Sequence, residues 1–207
     1  MTTTQPLEIE VKFHLNAVEP IHKAILEIGA TPAPRLFETN LRYEDADSSF
    51  IRRNMLLRLR TDAQTTLTLK RPPPKSDPEF KVHRELEVQV SDFDTMDAIL
   101  QGIGLHRAQC YEKWRQTLVL EDVVFCIDTL PFGQFLEIEG PKAAIIAMAG
   151  RLGLNWQRRI VCNYLEMFEV IKREHNLTFT DVTFANFANV SVDLAASHQQ
   201  FEAGYIS

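Results

Sequence analysis

The sequence predicts an α+β protein, with eight β-strands in one sheet and amphipathic helices against the apolar face of that sheet. Two observations carry this. Eight segments alternate polar and apolar residues with period two, as strands do when their faces meet different surroundings. In addition, a strand bearing Glu-x-Glu is three times followed by an amphipathic stretch and a glycine, at Glu8-Ile9-Glu10, Glu85-Leu86-Glu87 and Glu137-Ile138-Glu139.

The elements follow in chain order. Strands are expected near 6–14, 38–44, 54–61, 65–71, 79–90, 111–120, 123–129 and 133–139. The first helix rests on Val18, Ile21, Ile25 and Ile28 at helical spacing and stops near Gly29. In the second, Ser91 is the expected cap, Phe93, Met96, Ile99 and Leu100 form the stripe, and Gly102 or Gly104 the stop. The third opens at Pro141, favoured at the first helical position, and ends near Gly153. A fourth is expected over 158–174, with Ile160, Tyr164, Phe168 and Ile171 recurring. Asp62-Ala63-Gln64 reads as a hairpin turn, and the proline-rich 71–78 stretch as a loop, because proline cannot join a ladder. The tail after Thr178 carries Phe179, Phe184, Phe187 and Phe201, too aromatic for a free linker, and is expected to pack back on the domain.

At 207 residues the chain fits one domain plus a short extension. Its apolar content of 45% and charged content of 24% are globular, and no run approaches the roughly 18 apolar residues of a membrane span. The first residues have neither a basic start nor an apolar core, so a cytoplasmic location and no membrane partner are expected. The net charge of −6 argues against a nucleic-acid partner. It does not exclude a compact phosphate ligand, because basic residues can gather in one cleft. Cys110, Cys126 and Cys162 form no Cys-x-x-Cys pair. His14, His22, His106, His175 and His198 show no metal-ligand spacing. GxxxxGK[ST], HExxH and GxSxG are all absent from the sequence.

The charged strand faces are the informative feature. Glu8, Glu10 and Lys12 alternate with Ile9, Val11 and Phe13; Arg58 and Arg60 with Leu57 and Leu59; and Thr66, Thr68 and Lys70 with Leu67 and Leu69. Lys81, His83, Glu85 and Glu87 share a face, and Lys113, Arg115, Cys126, Asp128, Glu137 and Glu139 follow in later strands. If the apolar faces meet the helices, these charges gather on the other side. A solvated face with ion pairs worth about 0.2–1 kcal/mol each is the plain alternative. Against it, like charges come in doublets about 7 Å apart, which is unfavourable unless ligands of opposite sign lie between them. Carboxylates suit hard divalent cations such as Mg²⁺ or Mn²⁺, while arginine and lysine grip phosphate oxygens. At least six cations exceed the need of one phosphate, so a chain of phosphates is indicated. Trp114 falls on the apolar face, where core packing is expected.

These residues resemble the CYTH family, or triphosphate tunnel metalloenzymes, which includes class IV adenylyl cyclases, thiamine triphosphatases and inorganic triphosphatases. Glu8-Ile9-Glu10-Val11-Lys12 matches the family's Glu-x-Glu-x-Lys signature. LRLR at 57–60, LTLKRP at 67–72, RELEV at 84–88, EKWR at 112–115 and FLEIEG at 135–140 follow in order. The resemblance implies an eight-stranded antiparallel β-barrel, the triphosphate tunnel, with helices packed outside, over a domain at 5–175 followed by an extension at 176–207. It implies Mg²⁺ or Mn²⁺ on carboxylates drawn from Glu8, Glu10, Glu87, Asp128, Glu137 and Glu139. Triphosphate binding falls to Lys12, Arg58, Arg60, Lys70, Lys113 and Arg115, and catalysis to Glu8, Glu10 and Lys12. Many relatives place an arginine where this chain has His83, so Arg84 joins the set only if a bulge turns it inward. The last helix is expected near one end of the tunnel, where Asn163-Tyr164 takes the place of a Ser-Tyr pair. Metal-dependent hydrolysis of a small triphosphate is the favoured activity. Class IV adenylyl cyclase chemistry and plain polyphosphate binding are the alternatives, and monomer and homodimer both stay open.

Overall fold

The computed structural model describes residues 7–194 and 200–202, so Pro6 and His198 lie outside the described residues. Eight strands are present: β1 (Leu7–Leu15), β2 (Thr31–Glu44), β3 (Leu56–Thr61), β4 (Thr65–Arg71), β5 (Lys81–Val90), β6 (His106–Leu120), β7 (Val123–Leu130) and β8 (Gly133–Glu139). They pair antiparallel in the order β1-β5-β4-β3-β2-β6-β7-β8, and β8 returns to β1, so the sheet closes into a barrel. Closure removes both sheet edges and separates an inner face from an outer one. The expected fold is therefore found.

The helices among the described residues are α1 (Val18–Glu27), α2 (Ser49–Arg52), α3 (Phe93–Gly102), α4 (Lys142–Arg151) and α5 (Tyr164–Glu174). Gly29, Gly104 and Gly153 follow three of them at positive φ, where a Cβ would be strained. Sequence reasoning found these stops but misplaced three starts. Asp92, not Ser91, caps α3, its side chain accepting from the Thr95 amide. Pro141 is the cap of α4 rather than its first helical residue. The α5 helix starts at Tyr164, six residues later than expected, because Asn163 and Glu166 form a reciprocal capping box that fixes the start. Residues 156–158 form a separate 3-10 turn.

β2 and β6 are longer than predicted by seven and five residues, at their first residues, Thr31 and His106. Pro32 and Pro34 disguise the start of β2, which is an exposed, bulged strand end. Apolar clusters back the barrel: α1 and α4 cover Val11, Phe13, Leu118, Phe125 and Ile138, and α3 covers Leu41, Tyr43 and Leu59. Each such side chain contributes about 1.5–3 kcal/mol on full burial. Trp114 does not join a core. It stays partly exposed on the outer face, packing edge-on against Phe37 at 5.1 Å with the Arg35 guanidinium 5.0 Å from its ring.

The C-terminal part of the chain closes one end of the barrel. Lys12 lies beyond the last β1–β5 pair, and its backbone is instead paired by Ile160, at 2.9 and 2.8 Å. Residues of β6 before Trp114 lie beyond the β7 ladder, and Val182 fills that gap by bonding to Cys110 and Glu112 at 2.8 and 2.9 Å. Ile160, Val182, Phe187 and Phe201 then pack with α5, Phe135 and Tyr111 into a second core. No helix among the described residues is long and apolar enough to cross a membrane.

Candidate active site

Alternation along each strand brings Glu8, Glu10, Lys12, Arg58, Arg60, Lys70, Lys113, Arg115, Asp128, Glu137 and Glu139 to the inner face of one barrel. Glu87 joins them nearer the rim, accepting from the Thr68 hydroxyl at 3.0 Å and lying 3.9 Å from Arg60. Glu10, Lys12, Arg58, Lys70, Lys113, Asp128 and Glu137 are all buried. Charges this deep persist only when paired or liganded.

Arg84 is the exception. The β5 register runs unbroken from Lys81 to Val90 against β4 and β1, with no bulge. Arg84 therefore shares the outer face with Val82 and Leu86, opposite Leu7, while His83 faces inward. Burial, with Lys81 and Lys70 nearby, lowers the His83 pKa to about 4, so it is neutral at pH 7.

The closed end is rich in cations. Lys12 pairs with Glu10 and lies 3.1 Å from Glu137. Burial would lower its pKa, but those two carboxylates raise it. Asp128 accepts from Lys113 at 3.0 Å, from Arg115 at 2.7 and 2.6 Å, and from the Tyr164 hydroxyl at 2.9 Å. Four donors on one carboxylate make Asp128 an anchor for these cations, and it stands apart from the acidic group that fits a metal. The Tyr164 ring lies 5.3 and 5.4 Å from the Lys12 and Lys113 ammonium groups, so α5 supplies the floor. Arg58 donates to the Tyr111 hydroxyl at 3.2 Å, and its Nε is buried with no hydrogen-bond partner.

Toward the other end, the carboxylate oxygens of Glu8, Glu10 and Glu139 lie within 4.8 Å of one another. Burial and the charges of Glu10 and Glu137 push the Glu139 pKa up to about 7. Glu85, beside Glu8, is likewise raised to about 7 by burial and the Glu8 contact. Against burial, Lys70 holds the Glu8 pKa down, and Lys12 and Lys81 hold that of Glu10 down. The trio thus joins two carboxylates kept ionised to one pushed up, a set of oxygen donors that fits a hard divalent cation. Cys126 also groups with Glu137 and Glu139. That second group fits a hard cation less well, because one of its three donors is a thiol sulfur rather than a carboxylate oxygen.

Sequence reasoning placed a strand at 38–44 but assigned none of its residues to the site. Glu38, Asn40, Arg42 and Glu44 alternate inward there, a pattern present in the sequence but not assigned to a face. Against burial, Lys113 and Arg115 hold the Glu38 pKa down at about 2. Lys81, placed on the charged face but left out of the candidate set, donates to Glu10 at 2.6 Å.

A closed eight-stranded antiparallel barrel with a charged interior, blocked at one end, is a tunnel fold. The CYTH domain model matches residues 6–147, and the chain belongs to the CYTH family. Solved structures share the fold. A candidate adenylate cyclase from Vibrio parahaemolyticus is 18% identical with a TM-score of 0.71, over 80% of this chain and 99% of that one. A Pyrococcus horikoshii protein is 26% identical with a TM-score of 0.66, over 77% and 98%. A Hippeastrum protein, named as a candidate adenylyl cyclase and described with a dominant triphosphatase activity, is 16% identical with a TM-score of 0.55, over 79% and 95%. No curated protein matches the chain. Ile160, Val182 and Tyr164, which close the tunnel, all lie beyond the matched segment.

Proposed function

We propose that this protein is a divalent-metal-dependent triphosphatase, hydrolysing a triphosphate bound inside the barrel. One observation carries the reading. Three mutually close carboxylates, Glu8, Glu10 and Glu139, share a single enclosed barrel with an inward set of lysines and arginines. A triphosphate and its metal satisfy both groups together, whereas either alone leaves one of them crowded with like charge.

Glu8, Glu10 and Glu139 are the metal ligands in this reading, with oxygen chemistry suited to Mg²⁺ or Mn²⁺. Bound there, such an ion would supply positive charge to offset the charge of the phosphate oxygens. Lys12, Lys70, Lys113 and Arg115 exchange part of their carboxylate pairing for phosphate oxygens, and Arg58, held by the Tyr111 and Thr68 hydroxyls, adds its guanidinium to hold the chain in line. Arg60 and Glu87 lie nearer the rim. Water adds across a phosphoanhydride bond, giving orthophosphate and a diphosphate. Hydrolysis requires only a held phosphate chain, whereas cyclisation of ATP also requires a positioned ribose, and the charged interior bears on the first need.

Two arginines on opposite faces test the assignment. Arg58→Ala removes charge-assisted hydrogen bonds worth about 1.5–3 kcal/mol, so the KM for tripolyphosphate is expected to rise about 10–100-fold. Arg84→Ala, on the outer face, is expected to leave KM within about twofold. Equal effects from the two substitutions would remove the tunnel from the reaction.

A further inference from the structure

The cations assigned to the triphosphate are not held alike. Lys12, Arg60, Lys70, Lys113 and Arg115 are each in an ion pair with a carboxylate. Arg58 is in no ion pair among the described residues, although it is buried on the inner face. Two hydroxyls place its guanidinium instead, Tyr111 at 3.2 Å and Thr68 at 3.5 Å, and its Nε has no hydrogen-bond partner. A neutral acceptor fixes the direction of a guanidinium without cancelling its charge, so Arg58 keeps that charge for an anion.

Tyr111 is itself held from two sides. Across β2 it lies opposite Asn40. On the other side the β6–β7 ladder stops at Trp114, and the chain beyond α5 takes over the pairing. Val182 donates to the Cys110 carbonyl at 2.8 Å and accepts from the Glu112 amide at 2.9 Å, which brackets Tyr111. The Asp181 carboxylate accepts from the Cys110 amide at 2.8 Å, and the Glu112 carboxylate accepts from the Phe184 amide at 2.9 Å. Val182 and Phe187 also share a buried apolar cluster with Tyr111. With both of its chain neighbours tied down, the Tyr111 hydroxyl is presented to Arg58 from a fixed backbone. Residues 181–187 all lie outside the segment matched by the family model, 6–147.

We infer that the C-terminal extension is part of the phosphate site: residues 181–184, paired to β6, fix Tyr111, and Tyr111 aims Arg58 at the triphosphate. Tyr111 is a positioning residue, since it acts through Arg58. The inference rests on the triphosphatase reading for the identity of the anion. It adds that substrate affinity depends on a segment 71 positions along the chain from Cys110.

Deleting the extension would expose the core that it shares with α5, so the test uses single side chains. Tyr111→Phe keeps the ring and removes the hydroxyl. It is expected to raise the KM for tripolyphosphate about tenfold, the lower end for a hydrogen bond to a charged group, with kcat within about twofold. Asp181→Ala leaves the Cys110 amide without its acceptor and is expected to raise KM at least about threefold, with kcat likewise kept. In an Arg58→Ala background neither substitution is expected to change KM by more than about twofold, because the group that they position is gone. KM unchanged in either variant, or the same rise with Arg58 already removed, would overturn the inference. So would a loss confined to kcat or to the folded fraction in a thermal melt. Calorimetric titration of the same proteins with tripolyphosphate separates this inference from the reading beneath it. If wild type binds tripolyphosphate without hydrolysing it, the triphosphatase reading falls while the Kd ratios decide the role of Tyr111 and Asp181 in the same way. If wild type does not bind it at all, both fall.

Discussion

Glu10→Gln is expected to lower metal-dependent turnover at least about 100-fold while the protein stays folded. Residues that only support metal ligands are worth about 10–100-fold, and loss of a ligand itself should reach or exceed that range. Glu10 is the most enclosed of the three clustered carboxylates, and it also accepts from Lys12 and Lys81. The fold survives because neither ammonium is stranded. Lys12 keeps Glu137 at 3.1 Å. Burial and the neighbouring lysines already lower the Lys81 pKa, and a glutamine at position 10 still offers its side-chain carbonyl as an acceptor. Circular dichroism, Mn²⁺ titration and phosphate release measured on one preparation separate these effects. Folded protein that keeps full Mn²⁺ affinity would take Glu10 out of the metal site, and an unfolded variant would mark it as part of a structural ion-pair network.

Asp128→Asn should have the largest effect on stability. Asp128 is fully buried and binds two cations and one hydroxyl, so the substitution leaves Lys113 and Arg115 short of negative charge at the tunnel floor. Removing one partner of a buried ion pair costs about 3–5 kcal/mol. Glu38 at 3.6 Å from Lys113 and Glu137 beside Arg115 retain some compensation, which puts the expected loss near the lower end, about 3 kcal/mol. For a chain of this size each kcal/mol shifts Tm by about 2–4 °C, so a drop of roughly 6–12 °C is expected in a thermal melt. Tyr164→Phe, which removes a single hydrogen bond to the same carboxylate, should cost only about 1 kcal/mol. Equal shifts for the two variants would mean that Asp128 acts as an ordinary acceptor and not as a buried counter-charge.

Much of the barrel and its lining was legible in the sequence, because strand periodicity is strict. Once Ile9, Val11 and Phe13 are assigned to the core, Glu8, Glu10 and Lys12 have nowhere to point but inward. The same logic applied to β5 places Arg84 outside, and the unbroken register bears it out geometrically. What was not legible depends on three-dimensional contacts. Pro32 and Pro34 hid the first half of β2, since the bulge that tolerates them has no local signature distinct from a loop. Trp114 sits on the face opposite Lys113, yet it stays partly exposed against Phe37 and Arg35 instead of entering a core. The pairing of Lys12 with Ile160 and of Cys110 with Val182 joins residues about 70 to 150 positions apart, and no pattern along the chain announces it. The division of labour among the acids was likewise hidden. Glu8, Glu10 and Glu139 converge from adjacent strands, whereas Asp128, on the same inner face, is occupied by its own cations.

The most direct test of the central claim is ³¹P NMR of the products formed by the purified protein with Mg²⁺ or Mn²⁺ and tripolyphosphate, thiamine triphosphate or ATP in separate samples. The triphosphatase reading predicts growing orthophosphate and diphosphate signals from at least one of them, abolished by a chelator. Cyclic AMP and pyrophosphate from ATP, with the other two substrates left intact, would contradict it and make the protein a cyclase.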